Sequence, residues 1–232
     1  MGFLIPFLIC AVFLFVCFLL CKWFLALYTN SVTRALWSSP LLNRESAAAL
    51  LSVYFGAKSL FRGRWFPTRS PRGTVYREIP CVLVLGSRIF VLELCPYPGV
   101  IDNTSDADWH IDPPKEYQRK KDLRVPNPVL RVKEREEILK ELFSILKLPF
   151  EVTVESMAVL TDKQHQLKNP AQEGLWELSS AVQYLSGFEA KSKPAVKKMK
   201  KERELVLAVL EHYSLSRARA LARNDRMRRK NQ

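Results

Sequence analysis

Residues 79–109 read IPCVLVLGSRIFVLELCPYPGVIDNTSDADW, and the fold is decided in this stretch. Two apolar runs, each short enough for a strand, flank Gly86-Ser87, a pair suited to a two-residue hairpin turn. A Pro/Gly loop follows, then an acidic segment ending in Trp109. The second run, Arg88 to Cys95, contains one acid, Glu93. A carboxylate inside an apolar strand is costly to bury. It is therefore read as an active-site ligand or the remains of one.

Outward on the N-terminal side, Asn43 can cap a helix from about Arg44 to Phe61, with Glu45 in its favourable first turn. Arg62 to Gly73 reads as a basic loop punctuated by Pro67, Pro71, Gly63 and Gly73. Its Arg62, Arg64 and Arg69, interleaved with Trp65 and Phe66, suit contact with a nucleic-acid backbone and its bases. The plainer reading packs the aromatics on the domain and leaves the arginines in solvent.

On the C-terminal side, Pro113 to Pro128 reads as loop. Arg131 to Leu148 follows as an amphipathic helix stopped by Pro149. Val132, Ile138, Leu139, Leu142, Phe143 and Leu146 form its inner face, with Glu134, Arg135, Glu136, Glu137 and Lys140 outside. Phe150 to Leu160 reads as a third strand. A helix is expected near Gln172 to Leu185, with Trp176, Leu178, Val182 and Leu185 inward. After a linker, a helix starts near Glu202 and another covers Arg217 to Arg228.

The 232 residues carry a formal charge of +13, with a pI of about 9.7, which points to an anionic partner, nucleic acid or anionic lipid. Arg217, Arg219, Arg223, Arg228 and Arg229 concentrate that charge at the C-terminus. The protein partner is unknown at this level. Five cysteines without a CxxC pair and three scattered histidines argue against zinc or a disulfide framework. No metal site and no cofactor are expected. Residues Met1 to Cys21 hold no charged side chain, and the apolar run continues to Tyr28, enough for a spanning helix. Lys22, Arg34 and Arg44 follow it, so the positive-inside rule places the remaining chain in the cytosol. Asn103-Thr104-Ser105 is a glycosylation sequon, expected to stay unmodified under that topology.

The ordered set Glu78-Ile79-Pro80, Gly86, the Ile89 to Cys95 run, Gly99, Val100, Trp109 and Asn127-Pro128 resembles the nuclease-related domain (NERD) family over roughly Arg44 to Leu160. The resemblance implies a nuclease-like fold holding a divalent metal between two strand acids, with a lysine beside the attacking water. Here Pro80 stands at the first acid position, Cys95 at the lysine, and Arg131 where the family has glutamine. Glu93 remains, and Glu78 shares the face of Pro80 by strand alternation.

The expected fold is therefore α/β. A small mixed sheet flanked by helices (a nuclease-like core) follows one N-terminal transmembrane helix and precedes a basic helical tail. The expected boundaries are an anchor over 1–28, a juxtamembrane linker over 29–43, the α/β domain over 44–188, a basic linker over 189–201 and the tail over 202–232. The expected function is that of a single-pass membrane-anchored NERD-like domain without nuclease activity, acting as a binding or scaffold module for an anionic partner. Two alternatives stand beside it. One is a nuclease with relocated acids, Glu78 and Glu93, using Mg or Mn. The other is a membrane adaptor with a lipid-binding tail.

Overall fold

The computed structural model describes residues 14–23, 42–71, 73–114, 123–170, 172–188 and 193–230. The chain divides into two units, Met1–Ser39 and Pro40–Gln232. The described part of the first is a helix, α1, over residues 14–23, with Phe15, Phe18 and Trp23 among its exposed apolar side chains. Among the described residues no helix is long and apolar enough to cross a membrane. The rest of the expected span and residues 29–41 of the expected linker lie outside the described residues.

The second unit opens with α2 (Arg44–Phe55), whose first turn is capped by Asn43 accepting from the Ser46 N–H at 2.8 Å. The helix is shorter than its spacing predicts. Gly56, at φ 85°, takes a left-handed conformation that ends it, and Lys58 falls in a single 3-10 turn. The expected basic loop is instead a strand. β1 (Leu60–Ser70) pairs antiparallel with β2 (Gly73–Leu85), from Leu60 opposite Leu83 to Ser70 opposite Gly73. Pro67 had argued against a strand, but β1 lies at the edge of its sheet, where proline is tolerated. Trp65, two residues earlier, turns its N–H and C=O outward to Leu215, at 3.1 and 2.8 Å. By alternation the Pro67 nitrogen also points away from β2, so no ladder bond is lost.

β2 turns through Gly86-Ser87 into β3 (Arg88–Cys95), with Leu85 opposite Arg88 and Gly86 at φ 65°. This hairpin forms as the sequence predicts. α3 (Pro128–Ile145) is the crossover from β3 to β7 (Thr153–Leu160), which lies parallel to β3. α3 begins three residues earlier than expected. Asn127 accepts from the N–H groups of Val129 and Leu130 at 2.9 and 3.4 Å, and Pro128 suits the first helical position. β7 is followed by β9 (Leu175–Glu177), giving the sheet order β1-β2-β3-β7-β9. Trp176 therefore sits in a strand and not on the expected helix, which is α4 (Leu178–Ser186).

A second sheet of four short strands was not anticipated. It contains β4 (Gly99–Asp102), β5 (Asp108–Asp112), β6 (Leu123–Pro126) and β8 (His165–Leu167), in the order β6-β5-β4-β8. β4 runs parallel to β8 just as β3 runs parallel to β7, so the two chain runs travel side by side through both sheets. Trp109 is fully buried in the core, so its place in the motif is structural. Asn103 is buried as well. Its amide donates to Asn169 O at 2.7 Å and Gln172 Oε1 at 2.9 Å, and accepts from Asn169 N at 2.8 Å.

The C-terminal helices are α5 (Lys193–Tyr213) and α6 (Arg217–Lys230). α5 starts inside the expected linker. Its Val206 and Leu210 are fully buried in the same core as β2 and β3. α6 packs on the β1–β2 hairpin. The Asn224 amide accepts from Tyr76 N at 2.8 Å and donates to Tyr76 O at 3.0 Å, mimicking a strand partner. The basic tail is therefore part of the folded unit.

Candidate functional site

Val82 stands opposite Val91 in the β2–β3 ladder. Alternation then puts Glu78 and Pro80 on the same sheet face as Glu93 and Cys95. α3 covers that face, with Arg131 and Arg135 one helical turn apart and both reaching Glu93. Arg44, the first residue of α2, reaches the same carboxylate.

Glu93 is fully buried, and three guanidiniums surround it. Arg135 Nη1 donates to Oε2 in the closest contact, while its Nε donates to Glu78 O at 3.1 Å. One side chain thus ties together the two strands on which the family places its acids. Arg44 Nη2 and Arg131 Nη2 lie 3.5 and 3.7 Å from Oε1, which accepts no hydrogen bond. Arg44 Nε donates to Leu94 O at 3.0 Å. The Arg135 side chain is 13% exposed, against 47% for Arg44 and 35% for Arg131. Burial pulls the Arg135 guanidinium below its usual range, and Glu93 opposes that shift. Arg135 had been expected outside the helix; the strand acid turns it inward.

Beside this cluster lies a cleft of about 430 Å³ whose lining includes Arg44, Glu45, Arg62, Glu78 and Pro80. β1 and β2 pair on both sides of it, Arg62 with Cys81 and Arg64 with Ile79, but Gly63 and Pro80 between them do not pair. Gly63 adopts φ 58°, and a side-chain carbon there would meet open space. Proline has no N–H to offer a ladder.

A divalent cation fits these residues poorly. One oxygen of Glu93 is held by Arg135, and the other faces Arg44 and Arg131. Pro80 has no side-chain ligand atom. A dication set 4 Å from one guanidinium meets roughly 8 kcal/mol of repulsion at an effective dielectric of about 20. Mg²⁺ also requires several oxygen ligands in an octahedron. Among the described residues, no group of three or more His, Cys, Asp or Glu side chains is placed to hold a metal ion.

The two core thiols are equally unsuited to chemistry. Burial pushes Cys81 up to about 12 and raises Cys95 further in the same direction. Cys95 Sγ contacts Glu93 O at 3.5 Å as a weak donor. In the folded protein at pH 8, iodoacetamide should leave Cys81 and Cys95 unmodified, while both react after unfolding. Mass spectrometry of the two peptides checks this, and native labelling of either would contradict their burial.

The model of the nuclease-related domain matches residues 46–161, half of the chain. The chain belongs to the nuclease-related domain family. No curated protein and no solved structure matches it. Arg131 and Arg135 lie inside the NERD match, whereas Arg44 and both C-terminal helices lie outside it. Of the residues singled out from sequence, this NERD domain brings Arg131 to Glu93, and Arg62 to the cleft that holds Glu78 and Pro80. Arg64 lies over the Phe61 ring at 5.6 Å, and Arg69 pairs with Glu141 at 3.4 Å. Arg223 donates to Tyr76 Oη at 2.7 Å. Arg217, Arg219, Arg228 and Arg229 are exposed on α6. Arg44 and Arg135 were missed as site residues. The available signal was an acid on a buried strand beside arginines one helical turn apart.

Proposed function

We propose that this chain is a membrane-anchored NERD domain that binds an anionic partner and does not cleave it. The observation that carries the reading is the Glu93 carboxylate, held by three guanidiniums in a setting that opposes a metal ion. An acid so paired serves the fold and is withdrawn from catalysis. The anchor in this proposal is the uncharged run from Met1 to Cys21 with its extension to Tyr28, and Lys22, Arg34 and Arg44 set the domain in the cytosol. The net charge of +13 and the exposed arginines of α6 favour nucleic acid or anionic lipid as partner.

A second reading, a nuclease with relocated ligands, draws on one observation: Glu45 and Glu78 line the same cleft. One assay separates the two. The full chain in detergent is incubated with single- and double-stranded DNA and RNA, in Mg²⁺ or Mn²⁺. The expected result is no cleavage above that of an inert control. Cleavage lost in Glu78→Ala would establish the second reading and remove the first. Alkaline carbonate extraction from cell membranes tests the anchor: the full chain should stay in the pellet, and a chain lacking residues 1–28 should not.

A further inference from the structure

The charges around Glu93 do not balance within the cluster. One carboxylate faces Arg44, Arg131 and Arg135, and a single carboxylate neutralises one of them. Arg135 makes the close contact. Arg44 and Arg131 stand at distances beyond a hydrogen bond, on the oxygen that accepts none. Their Nη groups make no hydrogen bond among the described residues, and both side chains reach solvent. Arg44 also lines the adjoining cleft. So does Arg62. Gly63 and Pro80 leave this part of the β1–β2 ladder open to the cleft. Cations gathered around a partly desolvated opening are matched best by an anion with several acceptor oxygens, and the guanidinium fork suits phosphate.

The other lining residues narrow the class of ligand. Glu45 and Glu78 contribute carboxylates to the same cleft. A nucleic-acid strand laid across it would bring successive phosphates against those acids. A single phosphate group can sit on the guanidiniums without spanning them. We propose that the cleft between α2 and the β1–β2 hairpin is a metal-independent receptor for one phosphate group, held by Arg44 and Arg62 with Arg131 behind. The phosphate can come from a lipid headgroup or from a soluble phosphomonoester. This rests on the reading that the domain binds an anionic partner and does not cleave it.

The test uses the full chain in a neutral detergent at fixed ionic strength. Thermal stabilisation is measured with inorganic phosphate, glycerol phosphate and dioctanoyl phosphatidic acid, with chloride as reference. Saturable stabilisation is expected, and Arg62→Gln should raise the apparent Kd at least tenfold without changing the midpoint in ligand-free buffer. Equal responses to glycerol phosphate and phosphatidic acid identify a soluble source; a response to phosphatidic acid alone identifies a headgroup. No stabilisation by any of the three across the detergent-compatible concentration range, or an Arg62→Gln protein that binds as the parent does, overturns the proposal. The nuclease assay reads the other question separately. Absent cleavage with absent phosphate binding removes this receptor and leaves the binding reading in place, whereas metal-dependent cleavage removes both.

Discussion

Replacing Glu93 by alanine should destabilise the domain by about 3–5 kcal/mol, the range for breaking a buried ion pair by removing one partner. The cost arises from what remains. Arg135 is the least exposed of the three arginines, and without Glu93 it keeps only the Glu78 carbonyl of its two acceptors among the described residues. Arg44 and Arg131 are partly in solvent, so their share is screened. For a domain of this size the loss corresponds to a fall in Tm of roughly 6–20 °C. Thermal unfolding of the purified chain checks it. The double replacement Glu93→Leu with Arg135→Met should cost less than the sum of the two single changes, because neither charge is then left alone. A Glu93→Ala protein as stable as the parent would show that the carboxylate does not hold the arginines, and would reopen the question of its chemistry.

The second large effect is expected far from the site. Leu210→Ala on α5 should cost about 2–5 kcal/mol, as for other large-to-small core changes. Leu205→Ala on the same helix should cost under about 1 kcal/mol. Leu210 is fully buried, whereas Leu205 is 46% exposed. A chain ending at residue 192 loses Val206 and Leu210 from the core and leaves the outer edge of β1 unpaired. It should aggregate on expression, since open strand edges template further pairing. Urea unfolding of the point variants and size-exclusion chromatography of the truncation test these expectations. A soluble, monomeric truncation would show that α5 and α6 are an appendage after all.

These two results mark what the sequence made legible. The β2–β3 hairpin could be read because its strands are buried on both faces and its turn is only two residues long. Gly86 at φ 65° is the kind of position that glycine serves. β1 could not be read from its composition. Only Phe66 of its eleven residues is buried, and Pro67, Gly63 and three arginines imitate a loop. An edge strand can carry such residues because one side of its backbone faces no sheet neighbour. The strands β4, β5, β6, β8 and β9 have five residues or fewer, too short to display a period. The lysines at the start of α5 resembled a linker because its buried stripe begins later, at Val206.

The site was half legible for a related reason. Glu93, Pro80 and Cys95 follow from strand register, which the sequence carries locally. The arginine cluster joins residues 42 and 49 positions away from Glu93, and helix periodicity alone assigned Arg135 to solvent. Which side a boundary residue takes depends on the charge beneath the helix, and that charge belongs to another element. The acid and its partners had to be considered as one electrostatic unit before Arg135 could be placed.

The edge of the sheet also sets a timetable for biosynthesis. Tyr76 and Asn224 are separated by 148 residues in the chain. At about 5–20 residues per second, a ribosome needs roughly 7–30 s to make that interval. Until then the hairpin has been synthesised but lacks both Leu215 beside Trp65 and the Asn224 amide beside Tyr76. The nascent chain therefore passes through a period in which its most pairing-competent surface is open, and a chaperone that occupies strand edges has its window of action there.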